Sequence, residues 1–157
     1  MPDDTASLVN QTYVQSIILR TEPGVYVGSA LELSWPQTAW GLFKGSRGYW
    51  ISENGRTCWQ ARNANGPLAF WNSDGAATGD PDDWESFVFH RAPSIHSYTN
   101  LVTISNILGK YVNRQGSRIA CTAGFYGAAV FSVFYVPGRV TWDPGTLGIL
   151  RPSAKAC

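Results

Sequence analysis

The chain has 157 residues, a formal net charge of +1 and only 15% charged residues. That length fits one domain with a real core, and the near-neutral balance excludes the basic footprint of a nucleic-acid binder or a polybasic membrane patch. Sixteen glycines and nine prolines leave no room for a long amphipathic helix, and no uncharged apolar window reaches the roughly 18 residues of a membrane-spanning helix.

Residues 1–12 are polar and read as an arm. Met1-Pro2-Asp3-Asp4 lacks the basic start and apolar core of a signal peptide. An extracellular or virion-surface location would need another route. The first strand is expected from Val14 to Arg20, with Ile17 and Leu19 on one face. The turn Glu22-Pro23-Gly24 and a second strand with Tyr26 follow. The same pattern returns twice. Trp59 and Ala61 precede Ala64-Asn65-Gly66 and Leu68; Val102 and Ile104 precede Ile107-Leu108-Gly109 and Tyr111. The turn glycines Gly24, Gly66 and Gly109 are 42 and 43 residues apart.

A second marker keeps nearly the same step. Trp40-Gly41-Leu42-Phe43, then Asp83-Trp84-Glu85-Ser86-Phe87-Val88-Phe89, then Ala128-Ala129-Val130-Phe131 place Phe43, Phe87 and Phe131 at intervals of 44 residues. The run from Asp83 to Phe89 reads as one strand. Two markers with one period predict three copies of a unit of about 42–44 residues. Between the markers lie variable stretches, 30–38, 72–83 and 113–127, which read as loops and therefore as the places to look for function. Glu53-Asn54-Gly55 is a further turn between Tyr49-Trp50-Ile51 and Cys58-Trp59-Gln60.

Short strands, threefold repetition and the lack of helix signals predict a closed antiparallel barrel, which removes exposed strand edges. Three units of about four strands each is the plan of a β-trefoil. The expected organisation is an arm over 1–13, the β-trefoil over 14–139, and a hairpin or tail over 140–157. Over residues 14–136, Leu108-Gly109-Lys110-Tyr111-Val112 and the aromatic-x-x-Phe run Trp84-Glu85-Ser86-Phe87 resemble the fascin-like and agglutinin branch of β-trefoil proteins. The match is uneven: Gly66-Pro67-Leu68-Ala69 stands where that family has Gly-Lys-Tyr-Leu, and Ala128 where it has Trp. The resemblance implies six barrel strands capped by three hairpins.

The repeating aromatics Trp40, Phe43, Trp84, Phe87 and Phe131 read as core, because a threefold barrel needs matching large residues. Non-repeating aromatics are the better ligand-binding candidates: Trp71 with Asn72 and Asp74, Trp35, Tyr126, and Trp50 near a turn. A flat ring packs on the C–H face of a sugar, and Asn or Asp binds hydroxyls. The Gln-x-Trp signature of ricin-type lectins is absent. Asp74, Asp80, Asp82, Asp83 and Glu85 make an acidic stretch that reads as a solvated loop rather than a calcium site, since its spacing is not that of an EF-hand.

No nucleophile elbow, P-loop or HExxH motif occurs. A dyad of His90 with Cys58 or Cys121 is disfavoured by the apolar runs around both cysteines, which are expected to be buried, unbonded thiols. No enzyme, cofactor or metal is therefore expected. Two functions fit: a lectin-like carbohydrate-binding module, or a structural protein such as a virion surface or decoration component. The partner would be a glycan or a neighbouring protein, with homo-oligomers or a larger assembly expected. Residues 1–12 and 143–157 are polar and poor in ordering signals, and would contact such neighbours. Actin bundling, as in fascin, would need basic patches that twelve scattered Lys and Arg residues do not form.

Overall fold

The computed structural model describes residues 12–45, 47–54, 57–62, 66–72, 83–92 and 101–136. Residues 1–11 of the expected arm and the whole of the expected tail over 140–157 lie outside them. So do Asp74, Asp80, Asp82 and the loop around them.

Twelve strands follow one another among the described residues: β1 (Thr12–Glu22), β2 (Val25–Val27), β3 (Leu33–Ser34), β4 (Trp40–Lys44), β5 (Tyr49–Ser52), β6 (Thr57–Ala61), β7 (Gly66–Asn72), β8 (Phe87–Arg91), β9 (Leu101–Asn106), β10 (Tyr111–Gln115), β11 (Arg118–Ala123) and β12 (Phe131–Tyr135). Every pairing is antiparallel. Six strands close on themselves in the order β1, β4, β5, β8, β9, β12 and back to β1. The others form hairpins β2/β3, β6/β7 and β10/β11. The hairpins meet one another. Gly66 and Pro67 of β7 pair with β11, and the Leu33 amide donates to the Ser117 carbonyl at 2.6 Å. The result is an all-β closed barrel with extra strands.

Period-two alternation fills the barrel. Ile17 and Leu19, Trp40 and Leu42, Phe87 and Phe89, Val102 and Ile104, and Phe131 and Val133 all join one core. The predicted inward pair on β1 is thus found. Val27, Leu31, Trp59, Ala61, Leu68, Val112, Ile119 and Cys121 add to the same core from or beside the hairpins. Trp59 stands edge-on to Trp40 at 5.4 Å and to Phe87 at 5.9 Å between ring centroids. Such pairs add to the area that each ring buries. The Trp40 indole N–H donates to the Val27 carbonyl at 3.0 Å, so this large residue keeps its polar group satisfied.

Three expectations are corrected. Phe43 does not join Phe87 and Phe131. Its neighbour Leu42 points inward, so alternation sends Phe43 outward, into a separate cluster with Trp50, Cys58 and Tyr13. The residue that opens β4 as Phe87 opens β8 and Phe131 opens β12 is Trp40. Second, the run from Asp83 is not one strand. Asp83–Glu85 is a 3-10 turn, β8 starts at Phe87, and Trp84 is 38% exposed, not core. Third, the middle register slips by a strand. Gly24 and Gly109 follow the barrel strands β1 and β9 and take positive φ of 81° and 93°, which glycine adopts without strain. Gly66 instead opens β7, the second strand of a hairpin, and Trp59 and Ala61 lie on its partner β6 rather than on a barrel strand.

Candidate functional site

The loops after the hairpins β2/β3 and β10/β11 each bring an aromatic residue onto a tyrosine of the hairpin. After β3, Trp35 is 69% exposed and its ring lies 5.7 Å from that of Tyr26 on β2. After β11, the chain makes a 3-10 turn, Phe125–Gly127, closed by the Gly127 amide on the Gly124 carbonyl at 3.0 Å. The next residues are tied down by the Ala129 amide on the Val112 carbonyl at 2.8 Å. This turn projects Phe125 and Tyr126 outward, 51% and 98% exposed.

Phe125 packs edge-on against Tyr111 at 5.8 Å, and Tyr126 edge-on against Phe125 at 5.2 Å. Tyr111 in turn lies 5.5 Å from His90. The imidazole Nε2 of His90 is hydrogen-bonded to the Ser105 hydroxyl at 2.8 Å. Burial pushes the His90 pKa below the ordinary imidazole value. The ring is therefore neutral at pH 7, and the row His90, Tyr111, Phe125, Tyr126 is an uncharged aromatic surface with hydroxyls along it. Apolar ring faces beside hydroxyl and imidazole groups suit a neutral polyol with C–H faces.

Of the residues expected to bind ligand, Tyr126 and Trp35 are exposed, in the connections after different hairpins. Trp71 and Asn72 are the last two residues of β7, opposite Cys58 and Thr57 of β6. Asp74 lies outside the described residues. Trp50 is buried, so it is not a ligand platform. Phe125, Tyr111 and His90 were not anticipated. Phe125 stands beside Tyr126 in Gly124-Phe125-Tyr126-Gly127, and two adjacent aromatics between glycines were the available signal. Tyr111 was hidden by its role as a repeat marker.

Other chemistry is limited among the described residues. No group of three or more His, Cys, Asp or Glu side chains converges as a metal site. Glu85 is buried and accepts a hydrogen bond from the Gln60 side chain at 2.5 Å, so it does not belong to a solvated acidic loop. Cys58 and Cys121 are free and buried, as expected. Burial, aided by the Glu85 charge, pushes the Cys58 thiol well above its usual pKa; burial pushes Cys121 to about 11. Neither is a thiolate at neutral pH. The histidine of the supposed dyad is bonded to Ser105, and the Cys121 thiol donates to the Lys110 carbonyl at 3.1 Å. Compared with known proteins, the chain matches no family model and no curated sequence.

Proposed function

We propose that the chain is a non-enzymatic β-trefoil of lectin-like type that binds carbohydrate on the row Tyr111, Phe125 and Tyr126. The observation that carries this reading is the exposed Phe125–Tyr126 pair, held on a hydrogen-bonded turn and backed by Tyr111. A fixed aromatic platform loses little entropy when a sugar stacks on it. The trefoil reading is supported by six barrel strands and three hairpins, with a hairpin between each successive pair of barrel strands β1 and β4, β5 and β8, and β9 and β12. Under that reading β1–β4, β5–β8 and β9–β12 are the three units, and the fascin-like and agglutinin resemblance of the sequence keeps its sense. Trp35 on Tyr26 would be a second, independent platform. Fold alone does not fix function, so the reading rests on the platform.

Stacking plus a few hydrogen bonds gives a Kd on the order of millimolar to tens of micromolar. The test is retention on immobilised neutral glycans. Tyr126→Ala should weaken retention and leave the melting temperature unchanged, because Tyr126 is almost wholly exposed, and adding Trp35→Ala should abolish it. Retention unaffected by Tyr126→Ala and by Trp35→Ala together would refute the platform.

One observation favours the second reading, a structural or virion-surface protein. Leu108, Val130 and Phe134 are exposed as well, and exposed apolar groups are what an assembly interface needs. A full glycan array without a hit, with a native mass above the monomer, would make that reading the better one.

A further inference from the structure

Strands β12, β1 and β2 lie side by side, and one face of the three forms a strip on the outside of the molecule. Leu19, Val27 and Val133 are buried, so alternation turns their neighbours Arg20, Tyr26, Ser132 and Phe134 the other way. Arg20 stands in direct register with Ser132 on β12 and with Tyr26 on β2, and Phe134 is its diagonal neighbour. The Arg20 guanidinium carbon sits 4.8 Å from the centre of the exposed Phe134 ring. At the other end of the strip the exposed Trp35 ring packs on Tyr26.

Arg20 differs from the other cations of the chain. Every other lysine and arginine among the described residues is exposed, whereas Arg20 is half-buried. Its Nε–H is shut off from solvent and has no acceptor. Glu22, two residues along β1, is held by Arg114 at 2.7 Å, and Glu32 by Arg118 at 3.2 Å. Arg20 makes no ion pair among the described residues. Drawing a cation out of water without a counter-ion is unfavourable, and buried charges are as a rule paired. The Phe134 ring fixes the guanidinium in place but brings no carboxylate to it. A leucine at this position would cover Phe134 without that cost.

We propose that this strip binds an acidic oligosaccharide, with a sugar carboxylate on Arg20 and a sugar ring on Trp35. This assignment rests on the carbohydrate reading and gives the Trp35–Tyr26 platform its ligand. A guanidinium is a planar fork that matches the two oxygens of a carboxylate, and its weak hydration suits a half-buried place. The Ser132 hydroxyl, opposite Arg20, adds a donor and acceptor at the same point. Two strand steps of roughly 4.8 Å separate β12 from β2, so an oligosaccharide rather than a single sugar reaches from Arg20 to Trp35. The strip shares no residue with the row Tyr111, Phe125 and Tyr126.

The test is a titration of the full chain with trigalacturonate and with its methyl ester, which keeps the sugar skeleton and removes the charge. Ionic strength is fixed by chloride, and the amide signals of Tyr26 and Ser132 are followed. Saturable shifts are expected with both, and the acid should bind at least about tenfold tighter, the worth of one charge-assisted contact. Arg20→Gln should bring the acid down to the affinity of the ester and leave the ester unchanged. Arg20→Lys, which keeps the charge and the stem but not the fork, should fall between. Trp35→Ala should weaken both probes. Equal affinity for acid and ester in the native chain overturns the proposal, as does a preference that survives Arg20→Gln or binding that ignores Trp35→Ala. A steep fall in melting temperature of unliganded Arg20→Gln also overturns it, because the counter-ion is then an acid of the chain itself. Tyr126→Ala must leave the preference for the acid intact. Neutral-glycan retention that depends on Tyr126, without any preference for the acid, refutes the strip alone; a preference lost with Arg20→Gln, without Tyr126-dependent retention, refutes the Tyr126 row alone.

Discussion

Phe87→Ala is the most informative perturbation of the barrel. Phe87 is fully buried, opens β8 and stands edge-on to Trp59 at 5.9 Å. Removing a buried phenylalanine costs about 3–5 kcal/mol through lost transfer energy and the cavity left behind. The ring pair contributes about 0.5–1.5 kcal/mol of that. For a domain of this size each kcal/mol moves the melting temperature by about 2–4 °C, so the fall should be about 10 °C. Phe43 provides the control. It is buried too, but in the outer cluster with Trp50, Cys58 and Tyr13. Double-mutant cycles with Trp59→Ala separate the two. Phe87 and Trp59 should couple by about 0.5–1.5 kcal/mol, while Phe43 and Trp59 should add within about 0.5 kcal/mol. Denaturant midpoints measured on the three single and two double variants give both numbers. Equal coupling of Phe43 and Phe87 to Trp59 would put both phenylalanines in one layer and refute the inside-outside assignment.

Three further outcomes are expected. Cys58 and Cys121 should label slowly with a thiol reagent in the native protein at pH 8, since both are buried and their pKa values are raised; rapid labelling of either would contradict their burial. The Cys121 thiol, with a folded pKa of about 11 against an ordinary value near 9, holds its proton longer in the native state, so its contribution to stability is complete below about pH 9 and is lost as pH rises toward 11; Cys121→Ala should flatten the stability profile in that window. His90 works in the opposite direction. Its folded pKa is depressed by burial, so its contribution is present above about pH 6.5 and lost as pH falls through the folded value; His90→Gln should reduce the acid sensitivity of the melting temperature, and an unchanged acid limb would show that the ring is not desolvated.

The barrel was legible in the sequence where apolar side chains alternate with polar or half-buried ones. Ile17 and Leu19, and Val102 and Ile104, alternate with polar or half-buried neighbours, and period two is the geometry of a strand. The register of the middle stretch was not legible, for a physical reason. Trp59 and Ala61 have the same apolar spacing as a barrel strand because these residues of β6 are buried in the same core. Periodicity reports burial and not which neighbour does the burying. Phe43 and Phe87 show the same limit. Both are buried aromatics at a fixed interval, yet an interval carries no information about the side of the sheet unless the strand starts are known, and a slip of one residue reverses the side.

The site was legible only in part, and the reason lies in how aromatics divide between core and surface. Trp and Tyr are used for both, so composition cannot separate Trp40, wholly buried with its N–H on the Val27 carbonyl, from Trp35, which stands in solvent on Tyr26. What separates them is position relative to the strands. Trp40 opens a barrel strand and alternates inward; Trp35 and Tyr126 lie in the connections that run from a hairpin back to the barrel. Those connections are free to vary because no ladder fixes their side chains. The barrel thus supplies rigid strand ends, and the connections beyond two of the hairpins carry the exposed rings.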